Sequence, residues 1–458
     1  MVTRIRVILL TCVALTACGD DGAGPGEPGA LNEELRTALQ NAGVVAVTPP
    51  PAERQELVTL GQALFFDPIL SGNQNISCAT CHHPVAHTGD DLPLSLGEGS
   101  VGLAEGRALG EGFLIPRNAP AVFNAGVEDV ISLFWDSRVH LDPAGRLVTP
   151  EPRLNGADPT LPQMAALLES VLSAQAMFPV TSADEMRGQP GENNLSDLES
   201  NVAIWDALVA RLVGREDDPG AGIEEYRQMF RDAYPDLLVP RDVNFAHAAR
   251  AMAAFQRDRW TALGTPLDRF LQGDVDVMTD EEKRGGVIFF GKARCGTCHG
   301  GPLLTDFLHH ARAVPQIGPG KEEPSEDRGL GRLTGKPADD YRFRTPPLRN
   351  VALTGPWMHD GAMMSLEEAV VHSLDPAASF AAFDGSDLPP LFAGTLDTDP
   401  ARNQARLDAM EPMVPVVLTA AELQDLMAFL EGALTDASSL DLMADLPESV
   451  PSGLPVER

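Results

Sequence analysis

Cys78-Ala79-Thr80-Cys81-His82 and Cys295-Gly296-Thr297-Cys298-His299 are the two short stretches on which the fold of this chain depends. Each has two cysteines three positions apart and a histidine directly after the second. The chain has six cysteines, and the other two, Cys12 and Cys18, lie near the N-terminus. Side chains at i and i+3 share one face of a helical turn. Each stretch can therefore present two thiols and an imidazole to one bound group.

The CxxCH pattern is the attachment sequence of c-type haem. The thiols bond the two haem vinyl groups, and the imidazole meets the iron as the proximal ligand. A zinc site would need more Cys or His ligands at matching spacing, and a thioredoxin-like redox pair would need a surrounding βαβ pattern. Neither is found in the sequence. We predict two covalently bound haem c groups, one on Cys78, Cys81 and His82 and the other on Cys295, Cys298 and His299.

The N-terminus predicts export. Arg4 and Arg6 precede an apolar run over 7–14 and then small residues, as in a signal peptide. The run is too short to span a bilayer. Leu15-Thr16-Ala17-Cys18 resembles a bacterial lipobox, which implies a lipid on Cys18, and ordinary cleavage near Ala17 is the alternative. We predict a signal peptide over 1–17 and a periplasmic protein that its lipid anchors to a membrane.

The charge of the chain limits its partners. Lys and Arg number 34 against 66 Asp and Glu, a net charge of −32, which becomes −34 once the leader with its two arginines is removed. Such a charge argues against nucleic acid as a partner. Complementary charge steers protein encounters, so we expect a cationic cytochrome c as electron donor, with a small copper protein as the alternative. A homodimer is left open.

The predicted fold is all-α, with two cytochrome c-like haem domains and long loops. Apolar segments over 61–66 and 285–290 precede the two attachment sequences and form a weak internal repeat. At 100–200 residues per domain, 458 residues suit two or three domains. The predicted parts are a lipidated N-terminus, linker and lead-in helix over 18–54, an N-terminal haem domain over 55–240, a C-terminal haem domain over 241–436 and a loosely packed acidic tail over 437–458.

Capping boxes mark two of the expected helices. Ser196 with Glu199 and Thr419 with Glu422 each precede apolar residues at helical spacing. We therefore expect one helix to begin after Ser196 and another after Thr419.

Further motifs surround the attachment sequences. They are Leu60–Asp67, Pro116–Asn124, Phe134–Arg138, Pro179–Met186, Phe289–Cys298 and Arg344–Gly361. In this order, from about residue 55 to 435, the chain resembles the bacterial dihaem cytochrome c peroxidases and their MauG relatives. This resemblance implies that the haem on His82 reacts with peroxide and that the haem on His299 receives electrons.

The resemblance also implies roles for individual residues. Trp135 falls at the family's tryptophan between the haems, and Glu185 falls at its acid above the peroxide-reactive iron. Asn118, with the backbone carbonyls of Thr354 and Pro356, matches an interdomain calcium site. Oxygen ligands of this kind suit calcium. We expect Glu185 to carry a proton between the two peroxide oxygens, which is general acid–base catalysis.

Two positions depart from the family pattern. Members that need reductive activation have a histidine 16 residues after the proximal one, and here that residue is Glu98. We therefore expect the His82 haem to be open when oxidised. The second departure is Ser373, at the family's Met or Tyr ligand position. The sixth ligand could instead be His372, which we favour, or no protein group. Further alternatives are Met358, His359, Met363 and Met364.

Three functions agree with these features. The leading one is reduction of hydrogen peroxide to water with electrons from a small cytochrome c or copper protein. The second is a MauG-like dihaem enzyme that oxidises Trp or Tyr of a partner protein. The third is a dihaem electron carrier without enzymatic activity, which would have a closed sixth position on both haems.

Overall fold

The structure is a computed structural model that describes residues 29–215, 220–237, 240–322 and 324–458. The signal peptide and Cys18 lie outside these residues. Sixteen α-helices are found in the described part, numbered in chain order. They are α1 Ala30–Asn41, α2 Gln55–Phe66, α3 Cys78–Cys81, α4 Pro162–Ala165, α5 Val171–Gln175, α6 Asn201–Val213, α7 Glu224–Ala233, α8 Phe245–Arg259, α9 Pro266–Leu271, α10 Asp280–Phe290, α11 Leu330–Thr334, α12 Leu366–Leu374, α13 Pro376–Ala382, α14 Pro390–Ala393, α15 Pro400–Ala409 and α16 Ala420–Ala428.

Two small antiparallel sheets accompany the helices. In the first, β1 Ser132–Leu133 pairs with β2 Val139–Leu141, which pairs with β3 Leu147–Val148. In the second, β4 His309–His310 pairs with β5 Phe343–Arg344, with His309 opposite Arg344. The described chain is mainly helical, as predicted, and the strands are short local additions. None of the described helices is both long enough and apolar enough to cross a membrane.

The helix before the first attachment sequence packs closely on α8. A methyl group added at Gly61 of α2 would lie 1.9 Å from the carbonyl oxygen of Ala251, so glycine permits this approach. The Phe65 ring lies 5.5 Å from that of Phe255, tilted against it, and 5.0 Å from that of Trp260, edge to face, between ring centroids. Ser77 then begins the short helix α3, because its N–H donates to the Thr80 hydroxyl at 2.9 Å.

The helix before the second attachment sequence repeats this arrangement. A methyl group at Gly285 of α10 would lie 1.9 Å from the carbonyl oxygen of Asp425 in α16. Phe289 lies 5.4 Å from Phe429 between ring centroids. The repeat seen in sequence thus places one glycine and one phenylalanine equivalently in both helix pairs.

The buried side chains form two large clusters. One gathers α2, α5, α6, α7 and α8, and the other gathers α9, α10, α12 and α16. Leu35 and Leu39 of α1 belong to the second cluster, so the lead-in helix packs on the C-terminal part of the chain.

The C-terminal tail is not loosely packed, and that expectation was wrong. Leu442 and Val450 are buried in a cluster with Phe65, Phe255 and Trp260 of the N-terminal part. The tail also donates through the Ser452 hydroxyl to Asp67 Oδ1 at 2.7 Å. The tail was expected to be loose because its composition is acidic, but two apolar residues, Leu442 and Val450, pack it against the N-terminal part.

Helix starts were only partly predicted. Thr419 caps α16 with Glu422 in a capping box, as expected. The box at Ser196 was wrong, because α6 begins at Asn201 and Ser200 caps it. The Ser196 hydroxyl donates instead to the Asn193 carbonyl oxygen at 2.8 Å, within a turn.

Candidate functional site

Both attachment sequences face one cavity of about 930 Å³. Cys78, Cys81 and His82 line one part of it, and Cys295, Cys298 and His299 line another. Other lining residues lie in the loops that follow α3, β1 and β5 and in helices such as α5, α8 and α12. Residues more than 200 positions apart in sequence are thus brought to one cavity.

The two histidines are held in the same way. His82 Nδ1 lies 3.1 Å from the Thr88 carbonyl oxygen, and His299 Nδ1 lies 2.9 Å from that of Leu304. A carbonyl can only accept, so Nδ1 carries the proton and Nε2 keeps a free lone pair. Enclosure in the protein lowers the pKa of both imidazoles, that of His299 to about 4. Both rings are therefore neutral and able to bind iron through Nε2.

The four cysteines in these sequences are unpaired thiols. Burial raises the pKa of Cys78 and of Cys295 to about 12 and that of Cys81 further. Reduced, unpaired cysteines beside a free imidazole nitrogen are what the predicted covalent attachment requires.

Two buried nitrogen-bearing groups in the cavity lining, the Arg344 guanidinium and the neutral His359 imidazole, provide a further test of the fit to haem. Among the described residues, the Arg344 guanidinium donates to two carbonyl oxygens, of Phe134 at 3.0 Å and Thr345 at 3.2 Å. Burial lowers its pKa to about 10. His359 Nε2 is buried without a hydrogen-bond partner among the described residues. The carboxylates of a haem could accept hydrogen bonds from both groups, and their negative charge is opposite to that of Arg344. The cavity therefore fits haem.

Glu185 lines the cavity together with His82. It lies in a five-residue π-helical turn, Ala183–Arg187, a feature often found at functional sites. Lys321 lines the same cavity, where burial lowers its pKa and the Glu185 carboxylate partly offsets that effect. The structure therefore brings the predicted acid and the predicted peroxide-reactive attachment site to one space.

Trp135 also lines the cavity. Its indole N–H donates to the Asn118 carbonyl oxygen at 3.0 Å, and its own carbonyl accepts from the Arg344 N–H at 2.8 Å. These bonds fix the ring between loops of the N-terminal and C-terminal parts.

The three predicted calcium ligands belong to the lining of this cavity as well. Asn118, Thr354 and Pro356 all line it. The Asn118 amide nitrogen donates to the carbonyls of Leu92, at 2.9 Å, and Pro93, at 3.3 Å. Its amide oxygen is thereby directed away from those two carbonyls. Calcium binding there stays a prediction.

Glu98 is turned away from the cavity. Its buried carboxylate accepts from the Asn73 amide at 2.7 Å and the Asn75 amide at 2.8 Å. It is not among the residues that line the cavity. Nearby, His83 and His87 contact backbone groups of the C-terminal tail, Glu457 and Ser439.

The contacts of His372 argue against the expectation that it binds iron. It is fully buried, with Nε2 2.9 Å from the Arg312 carbonyl oxygen and Nδ1 3.1 Å from the Ser379 hydroxyl. Both ring nitrogens are therefore occupied, and the ring does not line the cavity. Ser373 does line it, but its hydroxyl donates to the Ala369 carbonyl at 2.8 Å. The helical rotation of about 100° per residue separates these neighbours.

Gln175, Lys321, Arg344 and Met413 are among the polar or sulfur-bearing lining residues that sequence reasoning missed. It also missed His310, whose nitrogens lie 2.9 Å from Asp306 and 2.8 Å from Glu411. The Cys298 thiol and these two carboxylates raise the pKa of His310 to about 10. Local spacing gave no signal for them, because these residues come from separate helices, strands and loops that only the folded chain brings to one cavity.

The chain is mainly helical and has two histidines with free Nε2 atoms, each beside a pair of thiols. This combination defines the class of dihaem c-type redox proteins. A family model described as di-haem cytochrome c peroxidase matches residues 55–276. The chain is 30% identical to methylamine utilization protein MauG of Methylorubrum extorquens over 320 residues, 69% of this chain and 68% of that one. It is 30% identical to cytochrome c551 peroxidase of Pseudomonas aeruginosa over 321 residues, 70% and 72% of the two chains.

Solved structures agree with this result. A MauG-like protein associated with microbial copper homeostasis matches with a TM-score of 0.56 and 29% identity, over 86% of this chain and 94% of that one. The diheme peroxidase BthA from Burkholderia thailandensis shares the fold, with a TM-score of 0.51 and 20% identity over 91% and 96% of the chains. The chain belongs to the dihaem cytochrome c peroxidase and MauG family. The family implies two c-type haems and a peroxidase-type oxidoreductase.

Proposed function

We propose that this protein reduces hydrogen peroxide to water with electrons from a small cytochrome c. The observation that carries the proposal is that Glu185 and His82 line one cavity while Glu98 is held outside it. An acid is thus present at the attachment site where peroxide would bind, and no side chain from the switching position covers that site.

In the proposed reaction, Glu185 and His82 have different roles. The haem supplies iron that binds peroxide and passes on electrons. The Glu185 carboxylate takes a proton from one peroxide oxygen and returns it to the other, so that the departing oxygen leaves as water. One peroxide, two electrons and two protons give two waters. The His82 imidazole, whose Nδ1 is oriented by the Thr88 carbonyl, would hold the iron through its free Nε2.

Electrons would arrive at the second attachment site. His299 lines the cavity with Trp135, which lies between loops of the two parts of the chain. The net charge of −32 favours a cationic donor. A cytochrome c is our first candidate, and a small copper protein is the second.

Replacement of Glu185 by glutamine tests the proposal. Gln keeps the size but carries no exchangeable acid proton, so kcat for peroxide reduction with reduced cytochrome c should fall roughly 10²–10⁴-fold. Asp184→Asn is the matched control, because Asp184 is in the same turn and bonds Gln189 at 2.8 Å outside the cavity lining. Wild-type turnover in Glu185→Gln, with both haems attached, would contradict the assignment.

Oxidation of Trp or Tyr on a partner protein is a second candidate function. It is favoured by the identity to MauG, which at 30% equals the identity to the c551 peroxidase. Mass spectrometry of partner proteins after peroxide treatment distinguishes the two. Oxidised Trp or Tyr, without oxidation of reduced cytochrome c, would replace the first proposal by the second.

The composition of the mature protein can be measured directly. We expect two haem additions in the intact mass and a lipid on Cys18, which lies outside the described residues. We also expect one calcium ion that survives dialysis and is removed by a chelator. Cys18→Ser should free the protein from membranes with both haems retained. One haem or none would contradict the attachment sites, and calcium absent from elemental analysis would contradict the Asn118 site.

A further inference from the structure

Residues 411–416 cross the cavity face between β4 and the end of α12. At one end the Glu411 N–H donates to the Ala311 carbonyl oxygen at 3.2 Å. At the other end the Val416 N–H donates to the Leu374 carbonyl oxygen at 3.0 Å. The 411–416 segment is therefore fixed at both ends by backbone hydrogen bonds.

Arg312 holds these two anchor points next to each other. Its guanidinium donates to the Ser373 carbonyl oxygen at 2.8 Å. Its own carbonyl accepts from His372 Nε2 at 2.9 Å. The 411–416 segment thus passes the end of α12 at the level of Ser373, which stands at the family's position for an iron ligand.

Met413 lies in the middle of this segment. It is half-buried between the exposed Pro412 and Val414, and it lines the cavity together with His299 and Ser373. A methionine thioether is an established ligand for haem iron opposite histidine. We propose that Met413, reaching in from the 411–416 segment, is the sixth ligand of the iron bound by His299.

The other sulfur and nitrogen candidates are placed less well. Met358 lines the cavity, but its neighbour His359 accepts from the Asn118 N–H at 2.9 Å and stacks on Phe343 at 3.5 Å. That turn is therefore held beside Trp135, which bonds the same Asn118, and not at the end of α12.

Met363 and Met364 do not line the cavity. Met363 is buried, and Met364 packs against the cluster of Leu92, Leu94 and Ile317. Neither side chain can therefore reach the iron without leaving its present packing.

Absorption spectroscopy and redox titration of the purified dihaem protein test this assignment. A ferric haem with a methionine ligand has a weak near-infrared sulfur-to-iron charge-transfer band, and methionine raises the reduction potential. We expect Met413→Leu to abolish the band and to lower the potential of that haem. Met413→His should also abolish the band while leaving the haem low-spin, because imidazole replaces the thioether.

Met358→Leu is the matched control and should leave both the band and the potential unchanged. A band that persists in Met413→Leu, or is absent from the wild-type protein, would overturn the proposal. Loss of the band in Met358→Leu alone would assign the ligand to Met358 and overturn it equally. The assignment rests on the family's two haems and not on peroxidase activity, so these spectra decide it separately.

Discussion

Glu98 shows how a single residue can set the resting state of the site. It stands where some relatives have a histidine that closes the peroxide-reactive haem, yet its carboxylate is held by the Asn73 and Asn75 amides. Carboxylate is also a weaker ligand for haem iron than imidazole. Hydrogen bonds to two amides stabilise it where it is, so under the proposed function no protein group from this position would have to be ejected before peroxide binds.

The oxidised protein should therefore react with peroxide without prior reduction. Electron paramagnetic resonance of the fully oxidised protein should show one high-spin and one low-spin ferric haem, and peroxide added without reductant should change the high-spin signal at once. The Glu98→Gln variant, in which the side chain keeps its size, should give the same spectrum and the same response to peroxide as the wild-type protein. Two low-spin haems that do not react until reduced would show that another residue closes the site.

At the scale of elements, the internal repeat has a packing basis. Gly61 in α2 and Gly285 in α10 lie directly against backbone carbonyls of α8 and α16. Alanine is ordinarily favoured over glycine inside a helix by about 1 kcal/mol. Here that preference is outweighed, because the added methyl group would lie far inside contact distance of a carbonyl oxygen.

Gly61→Ala and Gly285→Ala should each destabilise the protein by about 1–3 kcal/mol or more, the usual cost of overpacking. Gly106→Ala is the control, since nothing lies within 4 Å of an added methyl group there. Apparent melting temperatures of the three variants with both haems attached provide the measurement. Unchanged melting of Gly61→Ala and Gly285→Ala would show that the helix pairs are less close than described.

On the scale of the whole molecule, helix α1 and the C-terminal tail each pack on the part of the chain that is distant from them in sequence. Helix α1 packs into the cluster of the C-terminal helices, and the tail packs on the N-terminal helices through Leu442 and Val450. Asp445 in the tail accepts from the Trp260 indole N–H at 3.1 Å and from the Gln62 amide at 2.8 Å. Each end therefore adds to the core of the part that is distant in sequence.

Two leucines of the tail provide a matched test of this packing. Leu442 is 7% exposed and Leu440 is 57% exposed. Leu442→Ala should cost about 2–5 kcal/mol of unfolding free energy, because a buried side chain leaves a cavity. Leu440→Ala should change it by no more than about 0.5 kcal/mol. Equal effects in chemical denaturation would mean that the tail does not stabilise the N-terminal part.

The helices that lead into the two attachment sequences and the helical fold class could be predicted from the sequence alone, and the attachment sites themselves could be named from it. These features depend on residues within a few positions of one another, such as the Cys-x-x-Cys-His spacing and the Thr419 capping box. Glu185 and Trp135 could be named only through resemblance to relatives. Their meeting at one cavity is a property of the folded chain.

The tertiary structure alone decided which groups are free to act at the cavity. His372 has the right chemistry for iron, but the carbonyl of Arg312, 60 residues earlier, occupies its Nε2 atom. Met413 reaches the cavity because backbone bonds to Ala311 and Leu374 fix its segment there. The acidic tail is ordered because Leu442 meets aromatic side chains almost 400 residues earlier. Such contacts join residues far apart along the chain, and local spacing and composition carry no record of which distant groups meet once the core has packed.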